Sequence, residues 1–225
     1  LESSIQIEVE NIIPFPLKDI YYSYYIMGID EEKEGMMNLL IVAAKKEIVD
    51  GYMATFDLAG LDLSVLDVDI FAITNLIELI YQPKGYSVLV ADVGASVTNI
   101  AIVKEVNIEF TREILIGGKY VTGEIARLQS ITPKQAEEKK IALSDDVRPL
   151  LQDLASSVSS EISKTVNFYV ATKPRETVGR IYLTGGSCRL PGLKDQVEKE
   201  TGIAVDVLNP FLFVNSSGAE EAHED

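Results

Sequence analysis

The sequence predicts an α/β protein built from two related halves, the first of them incomplete. Three observations carry this expectation. Short apolar runs rich in Val and Ile alternate with longer segments whose apolar residues recur at helical spacing. A shift of 142 positions lays "NLLIVAA" (from Asn38) on "RIYLTGG" (from Arg180) and Gly60 on Gly202, so strand, helix, glycine and short strand occur twice in the same order, with helices expected to be of equal length. The later copy opens with a hairpin, "VLVADVGASVTNIAIV" (Val88 to Val103), that the earlier copy lacks. The matching hairpin is expected upstream of Leu1, in roughly 100 or more further residues.

The elements follow in order. Leu1, Ile5, Val9 and Ile12 share a helical face, and Pro14 and Pro16 stop that helix. "DIYYSYYIMGI" reads as a Tyr-rich strand, "DEEKEG" (Asp30 to Gly35) as a turn, and Asn38 to Ala44 as a second strand. An amphipathic helix from Lys46 to Leu58 ends at Ala59-Gly60, where glycine suits the C-cap. "LSVLDVD" (Leu63 to Asp69) reads as a short strand. "IFAITNLIELI" (Ile70 to Ile80) is apolar on nearly every side, which predicts a buried helix. "YQPKG" is a linker.

The hairpin at Val88 continues into a third strand, "NIEFTREILI", and "GGKYVTGEIARLQS" turns into a helix. Thr132 and Pro133 supply the N-cap and first position of the next helix. Apolar residues from Val147 to Tyr169 sketch a long helix. "RIYLTGG" is a strand, "LPGLKDQVEKETG" a helix ending at Gly202, and "IAVDV" a short strand. From Asn215 the chain is polar and acidic, a composition that predicts disorder.

Composition narrows the function. The 225 residues carry a formal net charge of −15, which argues against a nucleic-acid backbone as partner. No run of about 18 apolar residues appears. The single cysteine, Cys188, excludes an internal disulfide and fits a reducing compartment. With one histidine, His223, in the acidic tail, neither a His/Cys metal cage nor a Cys–His nucleophile is expected.

Three motifs remain that can carry chemistry. Asp92-x-Gly94-Ala95-Ser96-x-Thr98 can hold a phosphate: Gly94 allows close approach, successive N–H groups form a nest, and Ser96 and Thr98 add hydroxyls. Asp92 then faces an anion, which requires a cation such as hydrated Mg²⁺ between them. The same residues equally make an ordinary hairpin turn. Gly185-Gly186, in "LTGGSCRLPGL", offer a floor without side chains on which an aromatic base can lie, or else a tight strand–helix connection. Glu137 and Lys140 share a helix face and suit either a ribose or a surface ion pair. Gly117-Gly118, before a helix N-terminus, add a further anion-friendly element.

The order DVGASVT, GGKYVTGEIA, AEEKK, LTGGSCRLPGL resembles the actin-like ATPase superfamily, whose fold is ribonuclease H-like. The start of the chain, "IIPFPLKDIYYSYYIMG" and "LLIVAAKKEIVDGYMATFDLAGL", is similar to its pilus-assembly branch, the PilM family. The resemblance implies ATP and Mg²⁺ as cofactors. Asp92 to Thr98 would form the second phosphate motif, with Asp92 on Mg²⁺ through water, Glu137 and Lys140 would meet the ribose, and Leu183 to Leu193, with Gly185, Gly186 and Ser187, the adenosine. It implies residues 1–36 as the remnant of an extra subdomain, 37–82 as the second half of the first domain, and 83–225 as the second domain, with an insertion at about 120–177. It further implies a cytoplasmic protein held at the inner membrane by a partner, PilN, whose N-terminal peptide docks in a groove partly formed by residues 1–45, with self-association or pilus motor proteins as further candidate partners. The Tyr-rich strand serves such a groove or simple sheet packing. The family's first phosphate loop is absent from these residues, and no strong general base is visible, so hydrolysis is expected to be slow or absent. A nucleotide-independent scaffold like GspL and a division protein like FtsA are the alternatives; the acidic ending "SSGAEEAHED" lacks the basic amphipathic membrane helix of the latter.

Overall fold

The computed structural model describes residues 2–29, 35–81, 84–105 and 107–213. Two compact units divide at Asp67/Val68.

In the first unit, α1 (Glu2–Ile12) is followed by a 3-10 turn at Leu17–Asp19, strands β1 (Ile20–Ile29) and β2 (Met37–Lys45), and helix α2 (Lys46–Leu58). β1 and β2 pair antiparallel with Tyr24 opposite Ile41. The period-2 alternation of a strand puts Tyr24, Leu39, Ile41 and Ala43 on one face, where they close over Ile5 and Val9 of α1. Tyr21 and Tyr25 stand on the opposite face and are exposed. The Tyr21 hydroxyl donates to Asp50 of α2 at 3.2 Å. The β1–β2 ladder and its core cross the division at residue 36 drawn from the sequence.

The second unit is a five-stranded sheet in the order β5-β4-β3-β6-β7. Its strands are β3 (Ser87–Val93), β4 (Thr98–Lys104), β5 (Asn107–Ile114), β6 (Val178–Thr184) and β7 (Val205–Val207). β3, β4 and β5 form an antiparallel meander, while β6 and β7 run parallel to β3. Both faces are covered, so the strands read as near-continuous apolar runs. Leu89, Ala91, Val93, Ile100, Ile102, Ile181 and Leu183 pack beneath α4 (Gly118–Gln129), α5 (Pro133–Ile141), α6 (Arg148–Thr172) and α7 (Leu193–Thr201). Val88, Val90, Ala101, Val103 and Tyr182 face α3 (Asp69–Tyr81) through Ile70 and Ile77. α3, grouped in sequence with residues 37–82, therefore packs on the sheet of the second unit.

Three expectations need correction. Residues 61–68 form neither helix nor strand, so "LSVLDVD" is not a strand. A strand depends on a neighbour's backbone bonds, and none of the described strands pairs with it. α3 is not buried all round: Leu79 is 75% exposed, because only one face meets the sheet. The repeated helices are unequal, 13 residues in α2 against 9 in α7. A 3-10 turn at Gly186–Arg189 precedes α7 and occupies the difference. Gly60 and Gly202 do share one conformation, φ +69° in each, the left-handed C-terminal stop that glycine adopts without strain. The tail from Asn215, with His223, the linker residues Gln82 and Pro83, and Asp30 to Glu34 of the turn lie outside the described residues.

Candidate functional site

Strand register brings the motifs together. Asp92 on β3 lies beside Thr184 on β6, so the loops that follow, at Gly94 and Gly185, emerge side by side. Val93 pairs with Thr98 on β4, and Thr98 with Ile114 on β5, which delivers Gly117 to the same edge. This edge holds the carboxyl ends of β3 and β6, where open α/β sheets bind ligands.

Glycine is required where these segments touch. A Cβ on Gly117 would sit 2.6 Å from the Ala95 carbonyl oxygen and 2.7 Å from that of Gly94. One on Gly118 would collide with the Ser187 hydroxyl, and one on Gly94 would lie 2.8 Å from the Val97 carbonyl oxygen. Gly185 has φ +87°, and a side chain there would strike the Asp92 carboxylate and the Val93 carbonyl. Gly186 differs. It has no left-handed backbone, and its missing Cβ would meet nothing within 4 Å. Packing and backbone geometry account for Gly185, whereas Gly186 faces open space.

Hydrogen bonds fix the junction. Gly118 N–H donates to the Gly94 carbonyl at 3.0 Å and Lys119 N–H to that of Ala95 at 2.7 Å. The start of α4 is thus capped by neighbouring loop carbonyls and is not the open anion site its glycines suggested. The Thr98 hydroxyl is also turned inward: it is buried and donates to the Ile116 carbonyl at 2.8 Å, tying β4 to the loop that carries Gly117. Ser187 donates to the Gly94 carbonyl at 3.0 Å. Ala95 and Ser96 are exposed. Among the described residues, no acceptor takes the N–H groups of Ala95, Ser96 and Val97.

Lys140 is only 8% exposed. Its ammonium donates to Glu137 Oε2 at 2.8 Å, Thr122 Oγ1 at 3.0 Å and the Gly118 carbonyl at 3.3 Å. An ammonium has three protons, so this lysine is fully committed and braces α5 against α4. Glu137 stays half-exposed, with Oε2 taking the Lys140 and Thr122 bonds. Burial opposes its charge, but the hydrogen bonds from Lys140 and Thr122, and the Lys140 charge, outweigh it and lower its pKa.

Asp92 has no hydrogen-bond or ion-pair partner among the described residues. Its pKa is raised, first by burial and then by the charge of Asp69. Asp69 opens α3 and accepts from Asn99 Nδ2 at 3.1 Å. Asp69, Asn99 and Thr122 went unnoticed in the sequence. Asp69 precedes Asp92 by 23 positions in an unrelated element, and only the packing of α3 on the sheet reveals their proximity. Cys188 is buried, and burial pushes its thiol pKa up, as suits a core residue and not a nucleophile. A cavity of about 510 Å³ lies elsewhere, between α6 and α7, and is lined by none of these residues.

Comparison with known proteins bears on this geometry. A solved PilM–PilN type IV pilus biogenesis complex matches with TM-score 0.80 and 26% identity, covering 94% of this chain and 62% of that one. The archaeal actin homologue Ta0583 shares the fold at TM-score 0.53 and 17% identity, over 65% of this chain and 51% of its own. Ethanolamine utilization protein EutJ of Escherichia coli K12 is 26% identical over 171 residues, 73% of this chain and 56% of EutJ. Cell division protein FtsA of Enterococcus hirae is 24% identical over 196 residues, 76% of this chain and 44% of FtsA. The chain thus spans about half the length of these curated relatives. The family model described as type IV pilus assembly protein PilM matches residues 1–224, and the chain belongs to that family, with an actin-like α/β fold.

Proposed function

We propose that this chain is the nucleotide-carrying part of a pilus-assembly protein that binds ATP with Mg²⁺ and docks the N-terminal cytoplasmic peptide of a PilN-like membrane protein. One observation carries the nucleotide reading: the carboxyl edge of β3 and β6 gathers the unpaired amides of Ala95 to Val97, the unpaired Asp92 carboxylate, and a Gly186 that packing does not explain. Successive free amides suit phosphate. Open space over Gly186 suits a base, and the free oxygen of Glu137 suits a sugar hydroxyl.

The donor set fits Mg²⁺. Among the described residues no three His, Cys, Asp or Glu side chains gather into a cage. Mg²⁺ is typically held by one or two carboxylates, water and phosphate. Asp92, beside Asp69, is where a cation relieves repulsion between two carboxylates. Bound there, Mg²⁺ would neutralise phosphate charge. The bond from Asn99 orients the Asp69 carboxylate.

The partner proposal rests on family membership and on the match to the PilM–PilN complex. No helix among the described residues is long and apolar enough to cross a membrane. Attachment through a partner on the cytoplasmic side is the proposed route to the inner membrane, and the match to the PilM–PilN complex supports it. One observation favours a second reading, a scaffold without nucleotide exchange: Lys140 is already committed within the protein, and Ser187 and the start of α4 both donate to the Gly94 carbonyl. Calorimetric titration of Mg-ATP and of a PilN-like N-terminal peptide into the natural full-length protein separates the two. ATP binding in the micromolar range or tighter supports the first reading. Peptide binding without ATP binding supports the scaffold.

A further inference from the structure

Thr122 lies within "GGKYVTGEIA" but has no role assigned to it from the sequence, yet it sits at the centre of the brace. It is 8% exposed on α4. Its hydroxyl donates a short bond to Glu137 Oε2 and accepts from Lys140 Nζ at 3.0 Å. A hydroxyl has one proton, and the Gly118 carbonyl, at 3.3 Å, is the poorer acceptor. Lys140 in turn holds the Gly118 carbonyl, and Gly118 lies against Ser187. A continuous chain of contacts therefore links the loop junction to the half-exposed carboxylate.

We propose that Thr122 is a positioning residue for nucleotide binding: it bridges Lys140 and Glu137 and so presents the second oxygen of Glu137 to the sugar of the nucleotide. The inference rests on the nucleotide reading. Glu137 Oε2 is pinned by two donors, which leaves Oε1 to accept from a ligand hydroxyl. Valine at this position keeps the volume but neither donates nor accepts. Glu137 would lose one of the bonds that favour its ionised form, and a buried ammonium would lose an acceptor. Lys140, on α5 itself, is the charged group acting on Glu137, and α4 contributes the Thr122 hydroxyl.

The test measures ATP affinity against pH in the full-length protein for the wild type, Thr122→Val, Thr122→Ser and Glu137→Gln. Thr122→Val should weaken binding roughly five- to tenfold at neutral pH. Affinity that requires ionised Glu137 falls as pH drops through the Glu137 pKa. Loss of the Thr122 bond raises that pKa, so the decline should begin at higher pH in the valine variant. Thr122→Ser should restore both properties, and Thr122→Val should cost nothing further on a Glu137→Gln background. If valine prevents folding, Thr122→Ala carries the same expectations. Unchanged affinity and pH profile in a wild type that binds ATP, or costs that add to those of Glu137→Gln, would overturn the proposal alone. A wild type that binds no ATP overturns the nucleotide reading and this inference together.

Discussion

Asp92 is where the proposed function and a purely structural role make opposite predictions. A partly buried carboxylate without a partner, near a second carboxylate, costs stability in the ligand-free state. Asp92→Asn removes that charge while keeping the shape. In buffer with a chelator at neutral pH, the variant should melt higher by roughly 1–3 °C. Its ATP affinity in Mg²⁺ should fall about tenfold or more, because the group facing the cation is gone. A lower melting temperature with unchanged affinity would mark Asp92 as a turn residue. At this scale the sequence singled out candidate residues by type and spacing but not how their hydrogen bonds are used. Asp92, Gly94 and Gly185 stand out by type and spacing. That Thr98 turns inward and Lys140 spends all its protons depends on which carbonyls fold next to them.

The elements were legible wherever local signals agree. α5 begins at a Thr132 N-cap with Pro133 next, and the structure completes a capping box through Gln135. Thr132→Ala should cost about 1 kcal/mol in chemical denaturation, since a helix N-terminus loses its side-chain acceptor. A change below about 0.3 kcal/mol would mean that packing of Ala136, and not the cap, fixes the start of α5. The turn at Gly202 was legible for a similar reason, because only a left-handed stop explains glycine after nine helical residues. The segment at 61–68 misled because an alternating Leu/Val pattern looks like a strand whether or not a neighbour exists to pair with it. α3 misled in another way. Its apolar residues extend beyond its contact face, and composition does not reveal how much of a helix the sheet covers.

Across the molecule, the α/β class and the order of motifs followed from the sequence, whereas the association of α3 with the second unit required tertiary contacts. The chain covers 62% of the matched PilM chain. The central claim is that the junction of the loops at Gly94, Gly117 and Gly186 binds a nucleotide. Mg-ATP titration, with thermal midpoints, of the full-length wild type, Gly186→Val and Gly185→Ala tests it most directly. Gly185→Ala should lower stability by about 1 kcal/mol or more, because its φ of +87° and its contact with Asp92 exclude a side chain. Gly186→Val should keep its thermal midpoint within about 2–3 °C of the wild type, since its side chain enters open space. It should nonetheless weaken ATP at least about tenfold by filling the place of the base. ATP affinity equal to that of the wild type in a folded Gly186→Val protein would contradict the account.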